Sequence, residues 1–204
     1  MNFREFKAKV KNLPFFGSDV AEIFSLTPAA LRNQLTRWKK RGWLVELRRG
    51  LYTLGLSEKE VPLSREVAAA NIYQPSYLSL ESALSSYKLI PEKVAAATSV
   101  TTRKTKVFHN QAGAFIYRQL KPSLYFGFIA KKDEAGFPYF IAEPEKALLD
   151  YLYLNLGSID DQDKDYFTGS LRLQNRSRLD KKKLILYARR FGLKKLGRVL
   201  EHLK

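Results

Sequence analysis

The spacing of apolar residues changes abruptly near residue 42, and this change limits what the first quarter of the chain can form. Leu31, Leu35 and Trp38 recur at the three- and four-residue intervals of an amphipathic helix. After Gly42 the apolar residues of segment 43–54 approach a period of two, which is typical of short strands. The sequence therefore predicts a helix that is followed directly by a β-hairpin.

Both ends of this helix carry local signals. Thr27 can accept a hydrogen bond from a free amide of the first turn, and Pro28 suits a first helical position because its missing N–H has no partner there. Gly42 is placed to close the helix in the left-handed conformation, so the helix is expected over residues 28–41. The hairpin is expected to turn at residues 48–50, with two cations at its tip.

Two shorter helices are predicted ahead of this one. Apolar residues at intervals of three and four predict an amphipathic helix over residues 2–13. Ser18 and Glu22 form an imperfect capping box, because the glutamate stands one position beyond the ideal, and they predict a short helix there. Three helices and a basic-tipped hairpin within about 55 residues are typical of a winged helix-turn-helix, whose third helix enters the major groove of DNA.

The face of the predicted third helix that is opposite its apolar stripe is polar and cationic. Amide and guanidinium groups pair with base edges, and cations neutralise phosphates. The residues predicted to read the groove are Ala29, Asn33, Thr36, Arg37 and Lys40. The residues predicted to hold phosphates are Arg32, Lys39, Arg48 and Arg49. Winged helices that dock proteins usually lack such a cationic tip, so DNA binding is favoured over protein docking.

The chain carries a net charge of +16, and this charge is concentrated at its two ends. Residues 1–55 hold 11 basic and 4 acidic side chains, residues 56–160 hold 12 and 11, and residues 161–204 hold 13 and 5. Positive charge localised in this way is typical of surfaces that bind polyanions. An apolar share of 45% argues against disorder and predicts packed domains.

The middle of the chain is predicted to be mixed α/β after a polar linker that ends at Pro62. Its β-branched and aromatic content predicts an antiparallel sheet, with helices before and after it. The predicted helices are 64–72 and a second that begins at Glu143, and the predicted strands are 99–109, 114–117, 125–130 and 139–142.

Three strings in this middle part are distinctive. They are Ser76–Leu84 (SYLSLESAL), Thr98–Lys104 (TSVTTRK) and Ile141–Asp150 (IAEPEKALLD). In these strings the chain resembles the AbiEi-type antitoxins of abortive-infection, type IV toxin–antitoxin systems, over about residues 1–155. The resemblance implies a winged helix that binds inverted repeats in the promoter of its own operon and represses it. It also implies a C-terminal part that neutralises a nucleotidyltransferase-like toxin, although family members differ in whether a toxin gene lies beside them.

The sequence offers little for catalysis. It has no Cys, and its two His residues lie 93 positions apart, which excludes Cys-based metal sites and a thiol nucleophile. Glu143, Glu145 and Lys146 were weighed as a metal-dependent nuclease site, but Lys146 directly follows Glu145, unlike the carboxylate-x-lysine strand pattern of such enzymes. We expect no catalytic residue, no metal and no cofactor.

The basic C-terminal end is predicted to be helical. Asp180 can cap a helix, Gly192 interrupts it, and a second apolar stripe follows over residues 196–203. Three roles stay open for the basic residues of this end: a phosphate-binding extension of the DNA surface, the solvated exterior of a packed helical pair, and a membrane-surface helix.

The sequence as a whole predicts an α+β protein, with a winged helix-turn-helix at residues 1–56 and an antitoxin-like α/β domain with a helical C-terminus at residues 62–204. Its expected function is that of a sequence-specific regulator of double-stranded DNA and an autorepressing antitoxin. The alternatives are a toxin-neutralising interaction protein without a specific operator, and a nucleic-acid-processing enzyme. Because no window approaches 18 consecutive apolar residues and no secretory signal begins the chain, we expect no membrane partner and a cytoplasmic location.

Overall fold

The computed structural model describes residues 2–17 and 19–203, and within them the chain is a mixed α+β protein. The capping box predicted at Ser18 lies outside the described residues. No helix in the part of the chain that the structure describes is long and apolar enough to cross a membrane.

The N-terminal part combines short helices with a small antiparallel sheet. Its helices are α1 (Phe3–Val10), α2 (Val20–Ile23) and α3 (Pro28–Lys40). Its strands are β1 (Phe16–Gly17), β2 (Leu44–Arg48) and β3 (Leu51–Leu54), and the strand order is β1-β3-β2. The helix α1 is shorter than predicted, because it begins after its cap Asn2 and already ends at Val10. The Asn2 side chain accepts a hydrogen bond from the Glu5 amide at 2.9 Å, and the Glu5 side chain accepts one from the Asn2 amide.

The signals predicted for α3 are confirmed. The Thr27 side chain accepts a hydrogen bond from the Ala30 amide at 3.3 Å, and Pro28 is the first helical residue. Gly42 follows the helix with φ of 73°, which favours glycine. The buried residues of α3 are Leu31, Leu35 and Trp38, and they pack with aromatic residues of α1.

The hairpin β2–β3 contributes to two hydrophobic cores. Leu44 and Leu54 belong to the N-terminal core with the helices α1 and α3. Val45, Leu47 and Leu51 point to the other side and belong to the larger core of the rest of the molecule. Because successive strand residues face opposite sides, a two-residue period in this hairpin serves both cores.

The larger part of the molecule is built on a six-stranded sheet with the strand order β6-β7-β5-β4-β9-β8. The strands are β4 (Ser76–Leu78), β5 (Ala97–Thr101), β6 (Lys106–Asn110), β7 (Gly113–Gln119), β8 (Phe128–Lys132) and β9 (Pro138–Ala142). The helices α4 (Arg65–Ile72), α5 (Leu80–Ser86) and α6 (Pro144–Asn155) accompany them.

The sheet is mixed rather than wholly antiparallel. The predicted antiparallel hairpins β6–β7 and β8–β9 are confirmed, but β4 pairs with β9 in parallel and β5 pairs with β7 in parallel. The single strand predicted over residues 99–109 is wrong. The chain turns after Thr101, whose side-chain oxygen donates to the Pro75 carbonyl at 2.6 Å and accepts from the Arg103 amide at 3.2 Å. This break sends β6 to the edge of the sheet, where it pairs only with β7 among the described strands.

The C-terminal end is helical and is interrupted at Gly192, as predicted, and it forms two separate helices, α7 (Lys181–Phe191) and α8 (Lys194–Glu201), rather than one bent helix. The Asp180 side chain accepts hydrogen bonds from two amides of the first turn of α7. Gly192 ends α7 with φ of 66°. The buried residues Leu184, Phe191, Leu196 and Val199 attach both helices to the larger core.

Candidate nucleic-acid interface

The structure places the predicted base-reading residues on one exposed stripe of α3. Positions that differ by four, seven, eight and eleven share one side of a helix, and this side is opposite the buried stripe. The exposed residues of the stripe are Ala29, Asn33, Thr36, Arg37 and Lys40, and Arg32 is exposed beside them. The helix therefore presents amide, guanidinium and ammonium groups to solvent while its apolar side is fixed in the core.

The side chains of this stripe differ in how freely they can donate hydrogen bonds. The Thr36 hydroxyl donates to the Arg32 carbonyl within the same helix, at 2.9 Å. Its proton is therefore used by the protein, and only its lone pairs face outward. Asn33 and Arg37, which are both exposed, have the donor geometry that pairs with base edges.

Lys39 is the exception among the predicted phosphate contacts. It is half-buried and forms an ion pair with Glu46 of β2. Tyr52 lies opposite Glu46 in the hairpin, and burial, followed by the charge of Glu46, raises the pKa of its phenol. The charge of Lys39 is thus paired with a carboxylate of the protein itself, and the ion pair connects α3 to the hairpin.

The remaining cations of α3 are electrostatically uncompensated. Within residues 2–17 and 19–203, no carboxylate lies within 4.0 Å of Arg32, Arg37 or Lys40. By contrast, Lys7 of α1 and Lys11, which follows that helix, pair with glutamates after β3, at 3.0 and 3.2 Å. Among the described residues of this part, cations without a carboxylate partner are therefore more numerous on α3 and the hairpin tip than on α1, where they are Arg4 and Lys9.

The two arginines of the hairpin tip are exposed, but they have different neighbours. The Arg48 guanidinium donates to the Arg49 carbonyl at 3.0 Å. Burial raises the pKa of Tyr117 on β7, and the charge of Arg48 opposes that rise. Arg49 has no such neighbour among the described residues, so Arg49 is the tip residue that is free to contact a phosphate.

A second cationic cluster lies at the edge strand β6 and was not part of the predicted interface. The Arg103 guanidinium lies over the Tyr73 ring at 4.4 Å, and the Lys106 ammonium lies over the Phe108 ring at 4.9 Å. Arg103 also donates to the Gln74 carbonyl at 3.1 Å. These contacts fix the two cations on aromatic faces, and Tyr73 gave no signal for this role in the sequence.

The two glutamates weighed as nuclease ligands have structural partners instead. The Glu143 carboxylate accepts hydrogen bonds from Lys183 at 2.8 Å and from the Tyr187 hydroxyl at 2.5 Å. The buried Glu145 carboxylate accepts one from the Asp180 amide at 2.7 Å. Both residues therefore attach the start of α6 to α7.

The lysine of the same string belongs to a fully buried polar network. Lys146 pairs with Asp150, one turn later in α6, and donates to the Tyr77 hydroxyl at 2.8 Å. Asp150 accepts further hydrogen bonds from Tyr77 at 3.0 Å and from Ser79 at 2.8 Å. Burial lowers the pKa of Lys146 and raises that of Asp150, while their mutual attraction opposes both shifts.

Sequence reasoning missed this network, although one signal pointed to it. Lys146 and Asp150 stand four positions apart in a helix whose other buried residues, apart from Glu145, are apolar, and this spacing places both charges on one side of it. In the part of the chain that the structure describes, no group of three or more His, Asp or Glu side chains is placed to hold a metal ion.

Comparisons with known proteins give no family for the chain. No family model matches it, and no curated protein matches it either.

Proposed function

We propose that the protein is a sequence-specific regulator that binds double-stranded DNA through an N-terminal winged helix-turn-helix. The observation that carries this proposal is the exposed, uncompensated cationic stripe of α3, whose opposite side is buried against α1. A helix fixed in this way, with a hairpin directly after it, matches the geometry by which such modules enter the major groove.

The residues of the stripe divide into two roles. Asn33 and Arg37 supply the paired donors that recognise base edges, with Ala29 and Thr36 lining the same contact. Arg32, Lys40 and Arg49 supply exposed charge for phosphates on either side of the groove. Lys39 and Arg48 contribute less in this scheme, because each is engaged with another part of the protein.

The regulated promoter is proposed to be the protein's own. This part of the proposal rests on the resemblance to AbiEi-type antitoxins, in which the winged helix binds inverted repeats upstream of its operon. The same resemblance supports a functional link to a nucleotidyltransferase-like toxin. A nucleotidyltransferase-like gene beside this one supports the antitoxin role, and its absence favours a plain regulator.

The decisive experiment is selection of bound duplexes from a random pool, followed by titration of the recovered duplex in increasing salt. We expect a recurrent motif, and a selection that recovers none overturns the proposal of specific binding. Arg32→Ala and Arg49→Ala should each weaken binding and reduce the slope of log affinity against log salt by about 0.9 per lost phosphate contact.

The matched control is Lys93→Ala, which removes the same charge from an exposed site in the other part of the molecule. It should leave the salt slope unchanged. Asn33→Ala separates reading from charge, because it should lower the preference for the selected motif over random duplex without changing the slope. Equal slopes for the wild type, Arg32→Ala and Arg49→Ala would contradict the placement of α3 and the hairpin tip against DNA.

A further inference from the structure

An open groove of about 660 Å³ runs between α7 and α8 on the outer side of the C-terminal helices. One side of each helix forms its walls, since the lining positions of α7 recur at three- and four-residue intervals. The residues that line the groove are Lys181, Leu184, Ile185, Ala188, Arg189, Gly192, Leu193, Lys194, Gly197, Leu200, Glu201 and Leu203.

The groove exposes apolar surface that the core does not use. The two helices attach to the molecule through Leu184, Phe191, Leu196 and Val199, which are buried. Ile185, in contrast, is 55% exposed and Leu193 is 41% exposed. Exposed apolar side chains that line a groove between two helices can receive the apolar side of a third helix.

Small residues keep the floor of the groove open. Among the described residues, apart from the chain neighbours and the backbone of the helix itself, neither Gly192 nor Gly197 has a heavy atom within 4 Å of the position that a Cβ would occupy. Ala188 adds only a methyl group to the same lining. Another backbone can therefore approach α7 and α8 closely along this line, as occurs when a helix packs into a groove.

The charge of the rim selects among possible occupants. Among the described residues that line the groove, the basic side chains are Lys181, Arg189 and Lys194, against one acidic side chain, Glu201. A second copy of the chain would bring the same positive rim against this one, and like charges at an interface are unfavourable. A ligand with an apolar side and acidic residues along its edges is complementary both to the apolar lining of the groove and to its positive charge.

We propose that this groove binds an acidic amphipathic helix of a partner protein. The apolar side of that helix would carry anchors at i, i+3, i+4 and i+7 and lie against Ile185, Ala188 and Leu193. Its flanking carboxylates would pair with Arg189 and Lys194 on the two walls. The proposal does not rest on DNA binding, because α3 takes no part in it.

The probe is a synthetic helical peptide of about 18 residues, with Leu at the anchor positions and Glu on its other sides. A second peptide replaces every Glu with Lys, and a third keeps the composition of the first in scrambled order. Fluorescence anisotropy with the full chain should show saturable binding of the first peptide and at least tenfold weaker binding of the other two.

Two variants of nearly identical chemistry test the location. Ile185→Asp places a charge in the groove, whereas Leu186→Asp places the same charge at the next residue, which is 59% exposed and lies outside the groove. Since both side chains are exposed, both variants should fold, and circular dichroism verifies this. We expect Ile185→Asp to weaken binding of the acidic peptide at least tenfold and Leu186→Asp to leave it unchanged.

A second pair of variants tests the rim. Lys194→Glu reverses a charge that lines the groove, and Lys182→Glu reverses an exposed charge on α7 outside it. The first should weaken binding of the acidic peptide several-fold more than the second. Equal losses would show general attraction to a basic protein and overturn the proposal.

Other occupants give distinct results. A dimer in sedimentation that Ile185→Asp dissolves would assign the groove to a second copy. Binding of duplex DNA or of vesicles with anionic lipids that Ile185→Asp abolishes, without binding of the acidic peptide, would assign it to those ligands. Each of these outcomes contradicts an acidic helix as the occupant.

Discussion

The ammonium of Lys39 on α3 pairs with the carboxylate of Glu46 on β2, so one of the basic residues next to the proposed DNA surface is neutralised by the protein itself. Removing the carboxylate should release this cation. We predict that Glu46→Gln strengthens binding to duplex DNA and steepens the salt dependence of log affinity by up to about 0.9. A salt titration of the variant against the wild type measures both effects.

The control for this prediction is Glu134→Gln, which removes an exposed acid from the other part of the molecule and should change neither quantity. The stability cost of Glu46→Gln should stay below about 1 kcal/mol, because ion pairs near the surface contribute little. Weaker DNA binding by the Glu46→Gln variant would contradict this prediction. It would indicate that the ion pair of Lys39 with Glu46 is needed to orient α3.

The buried pair of Lys146 and Asp150 predicts a large loss of stability when one partner is removed. Lys146→Met leaves the Asp150 carboxylate buried without its cation, which should lower the free energy of unfolding by about 3–5 kcal/mol. Adding Asp150→Asn should restore part of the loss, because the amide is neutral and its oxygen still accepts from Tyr77 and Ser79. Urea unfolding measures these changes.

The exposed Lys132→Met serves as the matched control for that series, and its free energy of unfolding should lie within about 0.5 kcal/mol of the wild type. If Lys146→Met were as stable as Lys132→Met, the network would contribute nothing to the fold. If the second substitution restored nothing, the loss would lie in the Lys146 packing rather than in the orphaned charge.

Glu143 predicts a pH dependence in the attachment of α7. Burial raises the pKa of this carboxyl, but the hydrogen bonds from Lys183 and Tyr187 lower it by more, so its net pKa lies below the ordinary value of 4.5. Because the pKa of Glu143 is lower in the folded state than in the unfolded state, the carboxylate stabilises the fold at any pH above its unfolded-state pKa. This contribution disappears as the pH falls through the folded-state pKa.

The measurement is thermal unfolding of the wild type and of Glu143→Gln at a series of pH values from neutral to acidic. The wild type should be the more stable at neutral pH, and the two curves should converge as pH falls below the ordinary pKa of 4.5 and through the lower pKa of the folded state. A difference between them that does not change as the carboxyl is protonated would show that the charge of Glu143 does not contribute.

The close approach of Gly55 to Gly42, where the hairpin returns to the end of α3, leaves no space for a side chain at position 55. A Cβ at this position would lie 2.1 Å from the Gly42 carbonyl oxygen, which is a backbone atom. Gly55→Ala should therefore displace the junction and lower the free energy of unfolding by about 1–3 kcal/mol. Gly157→Ala, which meets nothing within 4 Å, should be nearly neutral, and equal effects of the two substitutions would refute this account.

The local structure of α3 was predictable because its cap, its apolar stripe and its closing glycine all lie within 16 residues of sequence. The parallel pairing of β5 with β7 could not be predicted, because it depends on the turn after Thr101 that places β6 at the edge of the sheet. A strand-like composition does not show where in the sheet a strand will pair. The spacing of Lys146 and Asp150 could indicate that their charges share one side of α6, but not that they are buried. Their burial depends on Tyr77 and Ser79, which lie about 70 positions away.

The placement of the predicted interface residues shows a similar division. The period of a helix determines which side of α3 faces outward, so the exposure of Asn33 and Arg37 follows from the sequence. The engagement of Lys39 with Glu46 and the effect of the Arg48 charge on the pKa of Tyr117 depend on how the hairpin packs. Sequence spacing treats all of these cations as equivalent, although their surroundings are not.

The hairpin β2–β3 has its Leu44 side in one core and its Leu47 side in the other, so neither core can lose its packing without exposing part of its neighbour. Because the hairpin belongs to both cores, we expect the two parts of the molecule to unfold cooperatively. A ligand that binds α3 and one that binds the groove of α7 and α8 should each raise the melting temperature of the whole chain, in a single transition.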